Sequence, residues 1–274
     1  MSVPAYLLDL LVCPDCRAPL GEAGATLTCS QCGRQFAVAD GVPELLPAEL
    51  AAGTPPDPAW QTWAGALDRL LEWRRRTWNG GETSQMYQRV VRGVQAEFVA
   101  HCQLARARGT LLDVGCGSAD ITAALGPECR YVGVDPLPLP SPGGPPMVRG
   151  VGERLPFREA AFDLVLTLET LDHCQSPPGT LAEILRVLKP GGALCVEQYV
   201  TAPGWRERLG RWWRGPSAPG RPAPADSPKV TLLDVPDLLT LLRPAFAEVV
   251  VGRATQGSHV FVAARGKRHG GSGT

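Results

Sequence analysis

The segment TLLDVGCGSADIT (Thr110–Thr122), read together with YVGVD (Tyr131–Asp135), decides the fold of this chain. Its apolar run LLDV is typical of a buried parallel strand, and the glycines of GCG end that run. Glycine at a strand-to-helix turn allows backbone angles that a Cβ forbids, and it lets a ligand lie against bare backbone. The segment therefore predicts a strand that ends at Asp113 or Val114 and a nucleotide-sized pocket beyond it.

The identity of the nucleotide depends on more than the glycines, because an ordinary strand-to-helix turn also produces GxG. Asp120 stands where the dinucleotide fingerprint GxGxxG requires its third glycine, which disfavours nicotinamide and flavin dinucleotides. Two acids remain, Asp113 at the end of the first strand and Asp135 at the end of the second. A carboxylate in the second position can accept hydrogen bonds from both ribose hydroxyls.

This arrangement resembles motif I and its acidic partner in class I S-adenosylmethionine-dependent methyltransferases. Two later stretches, GERLPFREAAFDLVLTLETLDH (Gly152–His173) and LAEILRVLKPGGALCVEQ (Leu181–Gln198), are similar to signatures of the same group. The resemblance implies an α/β fold with a Rossmann-like, seven-stranded, mostly parallel sheet that carries one antiparallel strand near its edge. It also implies S-adenosyl-L-methionine as the cofactor.

The resemblance further implies which residues hold this cofactor. Asp113 is expected at its methionine end, Asp135 at the ribose, and a helix that starts at Ile121 is expected to offer backbone amides to its carboxylate. Relatives place an aspartate that accepts from the adenine amine where this chain has Val151. Backbone at Val151 and Gly152, or the Glu153 carboxylate, is expected to replace it. The predicted cofactor-binding residues are Asp113, Gly115, Gly117, Asp135, Val151, Gly152, Glu153 and Glu169.

Three polar residues, Glu169, Asp172 and His173, follow the fourth predicted strand. Ligands of open parallel sheets collect outside the carboxyl ends of the strands, so these groups are expected to face the methyl acceptor. His173 and Asp172 are the candidate catalytic residues, either as a general base or as groups that orient the acceptor. The alternative for His173 is a loop histidine bonded to backbone. Direct methyl transfer depends mainly on in-line positioning, and no covalent intermediate is expected.

Two CxxC pairs near the N-terminus, CPDC and CSQC, predict a metal site. Each pair is a tight turn that aims two sulfurs at one point, and four thiolates leave no open position on zinc, so the ion is expected to be structural. Two redox-active pairs are the alternative. Residues 1–47 resemble the zinc ribbon that precedes the methyltransferase domain in certain rRNA guanine methyltransferases. The predicted zinc ligands are Cys13, Cys16, Cys29 and Cys32.

The chain divides into four predicted parts. The ribbon (1–47) is followed by a linker and N-terminal helices (48–108), the methyltransferase domain (109–265) and a disordered tail (266–274). Tyr87 in the helices is a candidate pocket residue. The Arg-, Trp- and Pro-rich insertion 203–228 is interpreted as a lid over the acceptor, with an RNA-contacting patch, an interfacial membrane contact and a solvated, packed helix as alternatives.

Composition limits the function further. The 274 residues are 44% hydrophobic and 20% charged, with 27 basic and 27 acidic residues, so the chain has no global attraction for a polyanion. We expect a cytoplasmic protein without integral membrane association, and no pattern indicates an oligomeric state. A small-molecule acceptor is favoured. A guanine in rRNA is the first alternative, and a catalytically lapsed zinc- and cofactor-binding adaptor is the second.

Overall fold

The computed structural model describes residues 3–24, 26–51, 57–78, 82–141, 143–200, 221–222, 231–232, 235–255 and 259–268, with backbone alone at 23, 73–78, 82–91, 221–222 and 231–232. A four-stranded antiparallel sheet forms the N-terminal module, after a single-turn helix α1 (Ala5–Leu8). Its strands, in sheet order, are β1 (Leu20–Ala23), β2 (Thr26–Cys29), β3 (Gln35–Ala39) and β4 (Val42–Pro43).

The main sheet has seven strands, as the resemblance implied. Its strands are β5 (Gly109–Val114), β6 (Cys129–Asp135), β7 (Met147–Arg149), β8 (Phe162–Leu168), β9 (Leu188–Tyr199), β12 (Phe246–Arg253) and β13 (His259–Lys267). The two strands between β9 and β12, β10 (Arg221–Pro222) and β11 (Thr231–Leu232), form a separate short pair. The order is β12-β13-β9-β8-β5-β6-β7. The five strands from β9 to β7 are parallel, and β13 runs antiparallel to both of its neighbours, which confirms the predicted fold class.

Helices cover both faces of this sheet. They are α2 (Ala48–Ala51), α3 (Pro58–Trp78), α4 (Glu82–Cys102), α5 (Pro177–Val187) and α6 (Val235–Leu242). α4 packs on one face, where the rings of Phe98 and Phe261 lie 5.7 Å apart. α5 packs on the other face, and it begins where the Ser176 side chain accepts from the Gly179 amide and Pro177 takes the first helical position. No helix in the described ranges is both long enough and apolar enough to cross a membrane.

Two predicted boundaries were wrong. The helix expected from Ile121 is a five-residue 3₁₀-helix, Asp120–Ala124. Gly126 and Pro127 follow after one residue, and the residue before a proline disfavours helix, so the segment cannot extend far. The strand β13 also continues through Gly266 and Lys267, where a tail was expected, and the Lys267 ammonium donates to the Leu188 carbonyl at 2.6 Å.

The N-terminal module is packed onto the main sheet by backbone hydrogen bonds and by a shared core. The Val12 amide donates to the Pro156 carbonyl, and the Arg158 amide donates to the Leu10 carbonyl, each at 2.9 Å. The segment after β4 pairs in parallel with Arg149 at the end of β7. One cluster of buried apolar side chains joins ribbon and sheet, and it includes Leu27, Phe36, Phe162 and Val165. The module is therefore part of one folding unit with the sheet.

Glu183 of α5 ties the ribbon to the loop after β7. Its carboxylate is buried and accepts from the Arg17 guanidinium at 2.9 Å, from the Leu155 amide at 3.0 Å and from the Arg186 guanidinium at 2.8 Å. Arg17 belongs to the first CxxC turn, so one carboxylate holds the metal-site turn, the loop and the helix together.

We expect Glu183→Gln to lower the free energy of unfolding by about 1–2 kcal/mol, because the amide keeps an acceptor for Leu155 but loses its charge beside the mostly buried Arg186. Urea denaturation measures this loss. Glu128→Gln, which removes an exposed pair with Arg108, is the control and should cost less than about 0.5 kcal/mol. Equal losses in the two variants would contradict a structural role for Glu183.

Candidate active site at the carboxyl edge of the sheet

The glycine-rich loop lies between β5 and β6, at the carboxyl ends of these strands. Gly115 has φ +80°, and its amide donates to the Val134 carbonyl at 2.8 Å. The Gly117 amide donates to Oδ2 of Asp135 at 3.0 Å, and the Leu137 amide donates to Oδ1 of the same carboxylate at 2.7 Å. Asp135 therefore links the glycine-rich loop to the residues that follow β6.

Asp113, the other predicted acid, is buried at the end of β5. The Tyr131 hydroxyl donates to its Oδ2 at 2.8 Å, and among the described residues Oδ1 has no hydrogen-bond partner. Burial raises the pKa of Asp113 to about 7; the hydrogen bond from Tyr131 opposes this rise, and the nearby charge of Asp135 adds to it. A buried carboxyl with one unused oxygen and a pKa near neutrality suits a cationic ligand group.

The three predicted adenine-side residues lie in the loop after β7. Val151 is 1% exposed and packs with Trp60 and Trp63 of α3. Gly152 lies against Thr180 of α5. Oε1 of Glu153 accepts from the Ser176 amide at 3.0 Å, and burial raises the pKa of Glu153. The apolar Val151 thus belongs to the contact with α3, and Glu153 holds the start of α5.

The three acceptor-side residues follow β8. Glu169 has a left-handed backbone, φ +50°, and its Oε1 accepts from the Tyr199 amide. Asp172 is buried in a 3₁₀-turn, and its Oδ1 lies 4.0 Å from Nε2 of His173. The Trp63 indole donates to the His173 carbonyl at 2.9 Å, so α3 lies across this turn. The structure therefore brings Asp172 and His173 together beneath α3.

Sequence reasoning missed three residues that shape this site. Tyr131 lies in β6, two residues before Gly133 and four before Asp135, so the strand period places all three on the same side of β6. This spacing could have identified Tyr131 from the sequence. Thr170 packs against Gly115, and Trp63 covers the His173 turn. The side chain of Tyr87 and most of the insertion, 203–220 and 223–228, lie outside the described residues.

The four predicted zinc ligands converge. Their sulfurs lie within 4.8 Å of one another, with 3.8 Å between Cys13 and Cys32 and 3.4 Å between Cys16 and Cys29. Zn–S bonds of about 2.3 Å in a tetrahedron put sulfurs about 3.8 Å apart, so the set fits zinc. The Cys32 amide donates to the Cys29 sulfur and lowers the pKa of Cys29 to about 6, whereas burial raises the pKa of Cys13 to about 12. Zinc would displace the proton that Cys13 retains.

Comparison with protein families divides the chain as the fold does. Residues 112–196 match the model of a methyltransferase domain, and residues 5–41 match the model of a Trm112p-like protein. The chain is 27% identical over 103 residues to norajmaline N-methyltransferase of Rauvolfia serpentina, which is 32% of this chain and 35% of that protein. It is 38% identical over 101 residues to an uncharacterised methyltransferase of Mycobacterium leprae, 33% of this chain and 37% of that protein. It therefore spans little more than a third of the length of these relatives.

A solved structure shares the fold over a longer range. The 1,6-didemethyltoxoflavin-N1-methyltransferase of Burkholderia thailandensis, solved with S-adenosylhomocysteine, superposes with a TM-score of 0.50 at 20% identity and covers 88% of this chain and 98% of its own. The family resemblance read from the motifs is confirmed for both parts of the chain. Residues 112–196 thus carry a methyltransferase domain, and residues 5–41 before it carry a Trm112p-like module.

Proposed function

We propose that this protein transfers a methyl group from S-adenosylmethionine to a small-molecule acceptor by direct displacement. The observation that carries the proposal is the loop at Gly115–Gly117, held between the buried Asp113 and Asp135 at the carboxyl edge of the sheet. In this proposal Asp113 faces the ammonium of the cofactor's methionine end. Asp135 accepts from the ribose hydroxyls with the lone pairs that its two backbone hydrogen bonds leave available.

The loop 150–153 would bound the adenine. Its bare backbone at Gly152 offers amide and carbonyl groups, whereas the Gly150 amide already donates to the Asp135 carbonyl at 3.1 Å. Val151 contributes an apolar surface under Trp60 and Trp63. An adenine there would be recognised mainly through its ring faces and through backbone contacts. In the proposed arrangement Glu153 acts indirectly, because it holds the start of α5 next to this loop.

The acceptor would bind where β8 and β9 end, beside Glu169 and beneath α3. Asp172 and His173 would orient the acceptor or remove its proton, since the two side chains are adjacent and lie in the turn that follows β8. A nucleophile that is already neutral and basic, such as an amine nitrogen, needs little help beyond alignment with the sulfonium. The balanced charge of the chain and its likeness to norajmaline N-methyltransferase support a small-molecule acceptor.

The experiment is calorimetric titration of the zinc-loaded full chain with S-adenosylhomocysteine between pH 5.5 and 8.5. We expect micromolar binding at pH 8 that weakens by up to about tenfold per pH unit below pH 7, because Asp113 holds a proton there and has to release it to face the ammonium. Asp113→Asn should bind more weakly at pH 8 and lose this slope.

Undetectable binding at pH 8 in a folded protein would overturn the proposal and favour the adaptor alternative. An rRNA guanine acceptor is the second candidate, favoured by the Trm112p-like ribbon. Binding of total rRNA that weakens steeply with salt would select it, because phosphate contacts release counterions.

A further inference from the structure

Three side chains of metal-ligand type converge at the acceptor end of the sheet, away from the four cysteines. They are Glu169 after β8, Glu197 on β9 and His259 at the start of β13, and one ligand atom of each lies within 4.8 Å of the other two. Nε2 of His259 is 3.6 Å from Oε1 of Glu197 and 3.9 Å from Oε1 of Glu169. Ligand atoms bonded at about 2.1 Å to one ion lie about 3–4 Å apart, so the observed spacing requires only small side-chain movements.

The sheet itself fixes this cluster. His259 pairs with Tyr199 across the antiparallel β9/β13 ladder, and Glu197 is two residues before Tyr199. Directly paired residues and residues two apart point to the same face, so Glu197 and His259 are aimed at one another by the strand register. The Glu169 amide donates to the Glu197 carbonyl at 2.9 Å, which brings the end of β8 to the same place. The ligands therefore come from three elements of a rigid scaffold.

Further contacts orient the side chains. The His259 ring meets the Tyr199 ring edge to face at 5.2 Å between centroids, and Oε1 of Glu169 accepts from the Tyr199 amide. Glu197 is 3% exposed, and a cation beside a carboxylate removed from water offsets part of the cost of its burial. Two carboxylates and one imidazole sum to a negative charge whether or not the imidazole is protonated. This geometry suits a positively charged ion better than it suits an apolar or anionic ligand.

We propose that Glu169, Glu197 and His259 form a divalent-cation site beside the methyl acceptor. Carboxylate and imidazole ligands together suit Mn²⁺, Fe²⁺ or Zn²⁺, and three protein ligands leave positions open for a substrate oxygen. If the proposed methyl transfer is correct, on which this last step rests, the acceptor carries an enolate, phenolate or carboxylate oxygen that the ion holds next to the sulfonium. Binding of the ion itself does not depend on that reaction.

The test is titration of the zinc-loaded full chain with Mn²⁺, followed by the electron paramagnetic resonance signal of the free ion. Mn²⁺ is chosen because four thiolates occupied by zinc offer it no site. We expect one bound Mn²⁺ per chain, and at least tenfold weaker binding in Glu197→Gln and in His259→Gln. Glu248→Gln, an exposed carboxylate on β12 that pairs with Arg265, is the matched control and should bind like the wild type.

Two results would overturn the cation site: no bound Mn²⁺ in the wild type, or unchanged binding in both variants. The first result would leave the cluster as one imidazole beside two carboxylates, and the second would place the ion elsewhere. Titration with S-adenosylhomocysteine in the absence of Mn²⁺ reports separately on the proposed cofactor site. Retained thermal unfolding shows that a variant is folded, and if Glu197→Gln does not fold, the His259→Gln result decides.

Discussion

Gly115→Ala is expected to lower the free energy of unfolding by about 3 kcal/mol and to weaken the affinity for S-adenosylhomocysteine at least tenfold. The new Cβ would lie 2.2 Å from Oγ1 and 2.5 Å from Cγ2 of Thr170. Thr170 is held in place because its hydroxyl donates to the Leu168 carbonyl and the fully buried Leu171 follows it. A left-handed alanine costs about 1–2 kcal/mol, and the overlap costs about 1–3 kcal/mol more. The loop has to move to relieve the overlap with Thr170. The proposed cofactor contacts would move with the loop, which weakens binding.

Gly191→Ala is the matched control for this substitution. Gly191 has nearly the same backbone angle, φ +78°, but a Cβ there meets nothing within 4 Å. It should therefore show the cost of the left-handed conformation alone, about 1–2 kcal/mol, with cofactor binding unchanged. Urea denaturation and calorimetric titration measure the two effects. If both glycine variants bind S-adenosylhomocysteine as the wild type does, the loop is not the cofactor site.

Loss of the ribbon zinc is expected to lower the melting temperature of the whole chain by about 10 °C or more, in one transition. Cys29→Ser removes one of four ligands, and the free energy of zinc binding is folding free energy for a module of this size. Leu27 and Phe36 of the ribbon belong to the same buried cluster as Phe162 and Val165 of the main sheet. A loosened ribbon would therefore expose the core of the methyltransferase domain, and calorimetric unfolding together with zinc content measures the effect.

Cys129→Ser is the control for the zinc ligand, since Cys129 is a half-buried free thiol on β6 outside the metal cluster. It should retain zinc and shift the melting temperature by only a few degrees. Two separate transitions in Cys29→Ser, with the second at the wild-type temperature, would show that the ribbon unfolds independently. That outcome would contradict the single folding unit inferred from the shared core.

Much of the scaffold was predictable because its signals are local. The apolar run of β5, the acid at the end of β6 and the helix stop after α5 each follow from periodicity and from the position of glycine and proline. The four cysteines were identified by spacing alone, since a CxxC turn aims both sulfurs at one point. The family resemblance implied seven strands and one antiparallel strand near the edge, but it gave no strand order, and no local pattern indicates that β13 inserts between β9 and β12.

The contacts that complete the site were not predictable, because they join residues far apart in sequence. Trp63 reaches the His173 carbonyl over 110 residues, and His259 meets Glu197 through a strand register that the sequence does not display. The burial of Val151 under Trp60 and Trp63 is of the same kind. The 3₁₀-helix after the glycine loop is a local feature, since Gly126 and Pro127 stand soon after Ala124 and disfavour a longer helix.

The segment that follows β4 contacts one edge of the main sheet and leaves the other edge open among the described strands. By pairing with Arg149, Glu44 covers the end of the open side of β7, which makes that edge a poorer template for an additional strand from another molecule. The opposite border of the sheet, β12, is unshielded among the described strands, and there Val250 and Val251 are 38% and 41% exposed. Among the described residues, a strand added from another molecule would therefore find open backbone at β12, the border opposite the one that the ribbon segment contacts.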